Sequence, residues 1–510
     1  MLPWWAWALV GTGGALLLVV LYDLLQTKDA ILRNFPLVGH FRSVMIEQGP
    51  KLRQYIVARN DEERPFTRDQ RDWIKRSAAK ENNYFGFGTD NDLEQSPGYL
   101  ILKQSNFPSH EPHAGDPDYD PTHPIECAKV LGGARERPKA FRPKSVFYVS
   151  AMSYGSLSAR AVTSINTACG LTDTLHNTGE GGIAPHHGHG GELIFQIGTG
   201  YFGCRDANGN LDLDRLVATV EKFPVRAIEL KLTQGAKPGR GGVLPAAKIT
   251  KEISDIRHIP MGKDCISPAS HTAFSSVDEM LDLVETIAER TGLPVGVKSA
   301  VGQIGFWEEL ATLMESGTRG VDFLTIDGGE GGTGAAPLVF SDHVSLPFKL
   351  GFTRVYRVFA ERGLTDRVVF AGSGKLGFPH ASVLAMAMGC DMIGVAREAM
   401  LAIGCIQAQE CQTGHCPTGV ATQDRRLQWG LDPRDKSAKL ANYLVTLRKE
   451  VMWLARAAGV PHPSLVPLDD FEVLDDRLGS KSAREHFAYA EGWGLPPEPE
   501  LVRLRRSRTD

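Results

Sequence analysis

The sequence predicts an α/β protein whose largest part is a (β/α)8 TIM barrel, preceded by an N-terminal transmembrane helix and a mixed N-terminal extension. From about residue 145 onward, short apolar runs alternate with helix-like stretches. At least six such units occupy about 260 residues, which fits a barrel of parallel strands. Polar and glycine-rich segments follow these strands regularly. A doubly wound parallel sheet is the main alternative.

The sequence pattern predicts individual strands and helices within the barrel. Short apolar runs bounded by turn residues predict strands, and longer stretches with helical spacing predict the helices between them. The predicted strands are 146–151, 227–231, 295–298, 321–326, 368–371 and 392–395. The predicted helices are 276–291, 306–316 and 378–388.

The N-terminal segment 1–26 differs from the rest of the chain. Residues 2–22 carry no charge, and at about 1.5 Å per residue such a helix spans a hydrocarbon core of about 30 Å. Tryptophans lie at one end and Tyr22 at the other, as expected of interfacial anchors. Basic residues follow the segment, which predicts a single-pass membrane protein with its catalytic domain in the cytoplasm. A buried core helix is the alternative.

Composition and texture suggest how the remaining chain is organised. The net charge of −4 gives no reason to expect a nucleic-acid partner. We expect an N-terminal extension and linker over 27–144, the barrel over 145–430 and a C-terminal helical extension and tail over 431–510. Within the linker, 86–125 is rich in turn residues, and its histidines (His110, His113 and His123) are interpreted as part of a solvated loop.

Three cysteines lie close together in segment 404–417. Five residues separate Cys405 from Cys411, and four separate Cys411 from Cys416. Thiolates are soft ligands that suit zinc or iron–sulfur. His415 would complete a zinc site, whereas three cysteines ending in Cys-Pro resemble part of an iron–sulfur ligand set. Three unconnected buried thiols are the plain alternative.

Glycine-rich segments near the end of the barrel predict a phosphate site. Segments 372–377 and 394–397 follow the last two predicted strands, where barrels commonly bind phosphate, and FMN is the natural occupant. Lys298 would stabilise negative charge on a reduced flavin, or form an ion pair with Glu229 or Asp327. The candidate cofactor-binding residues are Ala151, Met152, Ser153, Lys298, Gly332, Thr333, Gly372, Gly374, Lys375, Gly394 and Arg397.

Five motifs, in order, carry a family resemblance. They are 152–158 (MSYGSLS), 177–182 (NTGEGG), 234–239 (QGAKPG), 331–334 (GGTG), and the three cysteines with the following 417–423 (PTGVATQ). Together, over roughly 145–430, they resemble the FMN-binding synthase domain of glutamate synthase. The whole chain resembles the stand-alone FMN-binding glutamate synthase family.

The resemblance implies a specific chemistry. In that family FMN lies at the carboxyl ends of the barrel strands, and the three cysteines bind a [3Fe–4S] cluster that supplies electrons to the flavin. 2-Oxoglutarate and ammonia give 2-iminoglutarate, and hydride from reduced FMN then gives L-glutamate. Lys237, Glu180 and Arg257 match positions of the 2-oxoglutarate site, where fixed cations suit a dicarboxylate.

Departures from the family pattern leave the substrate open. No glutaminase domain is recognised, so we expect ammonia from solution or from a separate glutaminase subunit, or another amine as nitrogen donor. The electron donor would be a protein such as ferredoxin. Arg240 stands where an acidic residue is common, and Ala269 and Ser270 stand where prolines are usual. The alternatives are the same redox core acting on another imine or keto acid, such as in N-substituted glutamate formation, and a non-catalytic electron-transfer subunit.

Overall fold

The computed structural model describes residues 3–93, 96–117, 119–475 and 477–506. The chain divides into two compact units, Met1–Trp73 with Gly86–Asn91, and Ile74–Phe85 with Asp92–Asp510. Residues 1 and 2 of the predicted membrane segment and residues 507–510 of the predicted C-terminal tail lie outside the described residues.

Helices make up the regular structure described in the first unit. Three α-helices come first, and a short π-helix, Arg53–Val57, continues the third. Asp23, at the end of the first helix, is fully buried; its carboxylate accepts a hydrogen bond from the Leu37 N–H (3.1 Å) and lies 3.0 Å from His40 Nε2. This contact fixes the turn between the first and third helices. The helices are α1 (Trp4–Leu25), α2 (Ala30–Asn34) and α3 (Val38–Leu52), and α4 (Arg68–Ala79) runs into the second unit.

The second unit contains a closed barrel of eight parallel strands, which confirms the predicted fold class. Numbering the strands in chain order, the barrel runs β2-β3-β4-β5-β8-β9-β10-β11 and closes from β11 to β2. Nearly every strand residue is buried, as expected of parallel strands covered by helices. The strands are β2 (Phe147–Val149), β3 (Leu175–Asn177), β4 (Leu193–Ile197), β5 (Val225–Lys231), β8 (Val295–Ala300), β9 (Phe323–Asp327), β10 (Val369–Ser373) and β11 (Met392–Val395).

An apolar cluster forms part of the barrel core. Strand residues and two residues of the preceding loop contribute to it, so the barrel is packed rather than hollow. Its buried members are Cys127, Leu131, Tyr148, Leu175, Ile194, Ala227, Phe323, Val369, Ala371 and Met392.

Helices follow most barrel strands, and side-chain caps fix where several begin. The side chains of Ser158, Asp212 and Ser276 each accept a hydrogen bond from an N–H in the first turn of the next helix. The helices of this unit are α5 (Ala159–Leu171), α6 (Leu213–Lys222), α7 (Lys251–Arg257), α8 (Val277–Thr291), α9 (Gly305–Met314), α10 (Leu338–His343), α11 (Phe348–Ala360), α12 (Pro379–Ala387), α13 (Arg397–Ala402), α14 (Arg425–Trp429), α15 (Pro433–Ala457), α16 (Ala483–His486) and α17 (Glu498–Arg506).

Among the described residues, five further strands lie outside the barrel. β1 (Leu100–Leu102) falls in the segment predicted to be a loop, and it pairs antiparallel with β12 (Phe471–Leu474), which also pairs with β13 (Ser480–Ser482). The linker therefore contains a strand that the sequence analysis did not predict. β6 (Val243–Leu244) and β7 (Cys265–Ile266) form a small antiparallel ribbon after β5.

Candidate functional site

The carboxyl ends of the barrel strands bring several of the predicted side chains together. Lys231 at the end of β5 is the register partner of Lys298 on β8, so two lysines are neighbours on adjacent strands. Lys298 Nζ lies 3.6 Å from an Asp327 carboxylate oxygen, which also accepts a hydrogen bond from the Gly235 N–H. Of the two predicted ion-pair partners of Lys298, the structure therefore has Asp327.

Glu229, the other predicted partner, has a complete set of neutral donors. Its carboxylate accepts hydrogen bonds from Asn177 Nδ2 (2.8 Å), Gln196 Nε2 (2.6 Å) and Thr325 Oγ1 (2.6 Å). These side chains come from four barrel strands. They form a buried polar layer beneath the strand ends, where Glu229 is satisfied without a cation.

Glu180 forms an ion pair with a lysine that the sequence analysis did not select. Glu180 lies in the turn after β3, and its Oε1 is 2.8 Å from Lys231 Nζ. The Lys231 ammonium group also donates to Gln234 Oε1 (2.7 Å). Burial raises the pKa of Glu180, but the charge and hydrogen bond of Lys231 outweigh burial and hold the pKa below its usual value. A Cβ at Gly198 would lie 2.6 Å from Glu180 Oε2, so only glycine allows this position of the carboxylate.

Lys237 adds a second buried cation near the same carboxylate. Its Nζ donates to the Ala335 carbonyl oxygen at 3.0 Å. Burial lowers the pKa of Lys237, and the positive charges of Lys231 and Arg240 lower it further, while Glu180 acts in the opposite direction. Here cations outnumber carboxylates, which favours an anionic ligand.

Arg257, the third predicted substrate residue, is buried among protein groups. Its guanidinium donates to the Tyr154 carbonyl oxygen at 2.9 Å and lies 5.0 Å from the centre of the Phe202 ring. Burial lowers the pKa of Arg257, and the charges of Cys265 and Glu180 oppose that shift. Arg257 thus supports the loop after β2 and adds positive potential near Glu180.

The segments after β10 and β11 contain the residues predicted to bind an anion. Gly372, at the end of β10, and Gly394 on β11 are buried, and Lys375 lies in the turn after β10. Gly374 has φ +138°, a conformation that L side chains rarely adopt, and Lys375 has φ 54°. The chain turns sharply here, which leaves backbone N–H groups able to face an anion.

Arg397 connects these segments to the loop after β9. Its guanidinium donates to the Glu330 carbonyl oxygen, and burial lowers its pKa against the opposing charges of Glu398 and Asp327. With Lys298, it gives the site a second largely buried cation. Glycine backbone and buried cations are the groups that bind a phosphate-bearing cofactor.

The remaining predicted cofactor-binding residues lie on two loops. Ala151, Met152 and Ser153 are partly exposed in the loop after β2, with Ser153 Oγ donating to Ser156 Oγ at 3.1 Å. Gly332 is exposed, and Thr333 Oγ1 donates to the Ala335 carbonyl oxygen at 3.3 Å. Ala335 therefore links this loop to Lys237.

The three cysteines of segment 404–417 lie on one loop after α13. Cys405 and Cys411 are partly exposed, and Cys416 is buried. Burial raises the pKa of Cys405 to about 11 and that of Cys411 above its usual value. Burial also disfavours the Cys416 thiolate, but hydrogen bonds from the Thr418 side chain and from the Ala421 N–H outweigh it and lower the pKa. This surrounding stabilises a thiolate ligand.

Hydrogen bonds tie the residues that directly follow this cysteine segment to the loop after β2. The Ser158 N–H donates to the Val420 carbonyl oxygen at 2.9 Å, and Gln423 Nε2 donates to the carbonyl oxygens of Gly155 (3.1 Å) and Leu157 (2.8 Å). The loop that carries Ala151–Ser153 is therefore held next to the segment that carries the cysteines. A redox centre on one would lie close to a cofactor on the other.

Sequence comparison identifies the family. A profile described as "Conserved region in glutamate synthase" matches residues 125–461, more than half of the chain. The chain belongs to the glutamate synthase family. It is 36% identical over 475 residues to "Glutamate synthase large subunit-like protein YerD" of Bacillus subtilis (strain 168), covering 87% of this chain and 90% of that protein.

Other members of the glutamate synthase family match over less of their length. The "Archaeal glutamate synthase [NADPH]" of Methanocaldococcus jannaschii is 36% identical over 320 residues, which is 61% of this chain and 58% of that protein. Among solved structures, an "L230A mutant flavocytochrome b2 with benzoylformate" covers 86% of this chain at 13% identity and a TM-score of 0.44. The family match confirms the predicted family and the predicted enzyme class, an oxidoreductase acting on CH–NH2 donors.

Two lysines of the candidate site were missed by the sequence analysis. Lys231 pairs with Glu180, and Lys248 contacts the cysteine loop. Lys231 ends an apolar strand, a position on the catalytic face that was a usable signal. Lys248 had no such signal, because the sequence alone does not distinguish a buried lysine from an exposed one.

The linker histidines are partly brought together. Possible ligand atoms of His110, His113 and Asp116 lie within 4.8 Å of one another, while no such group includes His123 among the described residues. His110 and His113 are exposed, as expected of the solvated loop in which they were predicted. His415, considered above as a zinc ligand, is exposed.

Proposed function

We propose that this protein is an FMN and iron–sulfur oxidoreductase that converts 2-oxoglutarate and ammonia to L-glutamate. The observation that carries the proposal is the surplus of buried cations around Glu180, beside a loop hydrogen-bonded to the three-cysteine segment. Such an arrangement suits a dicarboxylate substrate and an electron relay in one site. Family membership is consistent with this chemistry.

FMN fits the residues at the strand ends. When bound, FMN supplies the hydride that reduces an imine. Arg397 and the backbone around Gly374 would hold its phosphate, and Lys298 would stabilise negative charge on the ring system. Ala151, Met152, Ser153, Gly332 and Thr333 lie on the two loops expected to border the flavin.

The 2-oxoglutarate carboxylates would bind to the lysines near Glu180. Lys237 is buried, and its ammonium group donates a hydrogen bond to a carbonyl oxygen, so a carboxylate ligand would give it a charged partner. Glu180 is held ionised by Lys231, so it would accept a hydrogen bond from ammonia or from the imine nitrogen and take part in proton transfer. Arg257 would act through its positive charge and its hold on the Tyr154 carbonyl oxygen.

A three-iron cluster fits the cysteine loop better than zinc. Sulfurs that share one zinc ion lie about 3.8 Å apart, given Zn–S bonds of about 2.3 Å. Among the described residues, only His110, His113 and Asp116 form a group of three ligand atoms within 4.8 Å of one another. The sulfurs of the three cysteines are therefore farther apart than one zinc ion requires. In a cluster each iron takes its own thiolate, so Cys405, Cys411 and Cys416 are suited to a [3Fe–4S] centre.

The N-terminal helix would anchor the enzyme to a membrane. α1 is long and apolar enough to cross a bilayer, and only 6% of its most apolar window is buried in the fold. Basic residues after α1 support a cytoplasmic catalytic domain. Alkaline carbonate should leave the full chain in the membrane pellet, and a variant lacking residues 1–22 should become soluble with its flavin. Release of the full chain by carbonate would contradict the anchor.

A different imine or keto acid is the second candidate. Arg240 adds positive charge near Lys237, at a position where the family pattern described above has an acidic residue. An additional or larger anionic substituent on the substrate would match this extra cation. N-substituted glutamate formation from 2-oxoglutarate and an amine belongs to this class.

Spectroscopy and turnover together test the proposal. The protein, purified without oxygen, should show flavin absorbance and the EPR signal of an oxidised three-iron cluster. With dithionite or reduced ferredoxin, 2-oxoglutarate and ammonium, it should form L-glutamate; a separate glutaminase would replace ammonium with glutamine. Reducible flavin without glutamate would refute the substrate assignment, and product with methylamine instead of ammonium would favour the second candidate.

The cluster assignment has its own test. Cys411→Ser should remove the EPR signal and most of the bound iron and sulfide while FMN remains bound. Cys169→Ser, a change at a buried cysteine of α5, is the matched control and should keep the cluster. Full iron and sulfide in Cys411→Ser would contradict the assignment.

A further inference from the structure

Lys248 is a buried lysine whose ammonium group faces the cysteine loop. It ends a short 3-10 turn, Ala246–Lys248, between β6 and α7, and only 6% of the residue is exposed. Its Nζ donates to the carbonyl oxygens of Cys411 (2.7 Å) and Ala421 (3.1 Å). Both acceptors belong to the backbone that surrounds the three thiols.

The partners of Lys248 differ from those of two other buried lysines, Lys129 and Lys298. Lys129 lies 2.9 Å from an Asp391 carboxylate oxygen, and Lys298 lies 3.6 Å from an Asp327 carboxylate oxygen. Lys237 resembles Lys248, because it donates to a carbonyl oxygen and lies where an anionic ligand is proposed. Among the ion pairs of the described residues, none joins Lys248 to a carboxylate. An ammonium buried with carbonyl oxygens alone is costly, which points to an anion at the thiols.

We propose that Lys248 is the counter-cation of the iron–sulfur cluster and raises its reduction potential. The inference rests on the proposed function, because it requires a cluster bound by Cys405, Cys411 and Cys416. Reduction adds one electron, and hence one negative charge, to the cluster. A fixed positive charge next to Cys411 therefore stabilises the reduced form more than the oxidised form.

Through the reduction potential of the cluster, Lys248 also influences electron transfer to the flavin. Electron transfer from the donor through the cluster to the flavin is favourable at both steps when the potential of the cluster lies between those of the donor and the flavin. A cation on the β6–α7 segment sets that potential without contributing a ligand. Lys248 thus acts through its charge on the cluster and does not contact the substrate.

Replacing the charge tests the inference. Lys248→Met should keep FMN and the cluster but shift the oxidised-to-reduced ratio at a fixed solution potential about tenfold toward oxidised. For a one-electron couple, tenfold equals a fall of 59 mV in the midpoint potential, measured by EPR-monitored redox titration. Lys248→Arg should stay near the wild-type potential. Lys251→Met, an exposed lysine three residues later, should leave the potential unchanged.

Three outcomes decide the inference. An unchanged midpoint potential in Lys248→Met, with full iron and sulfide, would overturn it. If Lys248→Met loses the cluster while its thermal unfolding stays like wild type, retention of the cluster in Lys248→Arg would support the role of charge, and equal loss in both would overturn it. A wild-type protein without any cluster would instead refute the proposed function, which separates the two failures.

Discussion

Lys129 and Lys237 are both buried lysines at the ends of the barrel strands, but their partners differ. Lys129 lies before the barrel, at the amino ends of β10 and β11; it lies 2.9 Å from an Asp391 carboxylate oxygen and donates to the carbonyl oxygens of Thr365 and Val368. Lys237, at the carboxyl end, donates to the Ala335 carbonyl oxygen. The same residue type is charge-matched at one end of the barrel and bound to a neutral acceptor at the other.

A second largely buried cation at the amino end, Arg137, is also matched by carboxylates. Arg137 lies 2.6 Å from a Glu285 oxygen and 3.0 Å from an Asp322 oxygen, and Asp322 also accepts a hydrogen bond from the Val295 N–H. At this end, buried charge holds the chain together. At the carboxyl end, surplus cations create a potential that a ligand can use. The difference separates residues that stabilise the barrel from residues that serve its chemistry.

The largest effect should come from breaking a matched pair. Lys129→Met leaves the Asp391 carboxylate buried without its cation, and we expect a loss of about 3–5 kcal/mol in the free energy of unfolding. Urea denaturation followed by circular dichroism measures this. Lys103→Met, which breaks the exposed pair with Glu472, is the control and should lose under about 1 kcal/mol. Similar losses in both variants would remove the distinction between matched and exposed pairs.

Acid should destabilise the fold through histidines that are buried without charge. Burial lowers the pKa of His187 to about 4 and that of its neighbour His176 well below the usual value of 6.5. Between pH 6.5 and 4 the unfolded chain binds a proton at His187 and the folded chain does not, so stability falls as the pH falls. A shift of this size is worth about 3 kcal/mol.

Variants at two neighbouring histidines isolate this effect. His187→Asn retains an acceptor for the Ala184 N–H and removes the titration, so its stability should depend less steeply on pH between 6.5 and 4. His189→Gln, at an exposed histidine two residues later, should keep the wild-type slope. Equal slopes for wild type and His187→Asn in urea titrations across this range would show that His187 does not contribute.

At the carboxyl end, removing a cation should affect ligand binding and not folding. Lys237→Ala should weaken 2-oxoglutarate binding by about 1.5–3 kcal/mol, the range for one charge-assisted hydrogen bond. Its urea midpoint should stay at or above that of wild type, because a buried cation is removed without exposing a carboxylate. Flavin fluorescence titration with 2-oxoglutarate measures the affinity, with Lys251→Ala as the control. Unchanged affinity would exclude Lys237 from the site.

The smallest effect is expected at an exposed ion-pair network. Arg319 lies 2.5 Å from carboxylate oxygens of Asp278 and of Asp282, and all three side chains are partly exposed to solvent. Because solvent screens these charges, Arg319→Ala should cost under about 1 kcal/mol. The cost should shrink further in high salt, measured by urea denaturation. A loss as large as that of Lys129→Met would contradict the role assigned to burial.

Sequence pattern was sufficient for most of the barrel strands, although it missed β4 (Leu193–Ile197), which is also largely apolar. Six of the eight barrel strands were predicted near their observed positions, including β9 and β10. β3 (Leu175–Asn177) was missed because it is three residues long and two of its residues are polar. Its His176 and Asn177 are buried by tertiary contacts that the local sequence pattern does not predict.

The candidate site shows the same limit. The cysteine spacing is local, so Cys405, Cys411 and Cys416 could be grouped from the sequence. Pairing of Lys231 with Glu180 joins two strands' ends, and the contact of Lys248 with Cys411 joins residues 163 positions apart. Such contacts depend on barrel closure, which the sequence predicts as a class but not residue by residue.

The pairing of β1 with β12 has a consequence for how the protein is made. Leu100 is the register partner of Val473, so about 370 residues separate the two strands. At about 5–20 residues per second, the ribosome needs roughly 20–75 s to produce the second strand after the first. Throughout that interval β1 is an unpaired edge, so we expect nascent chains to need a chaperone on this segment until synthesis is nearly finished.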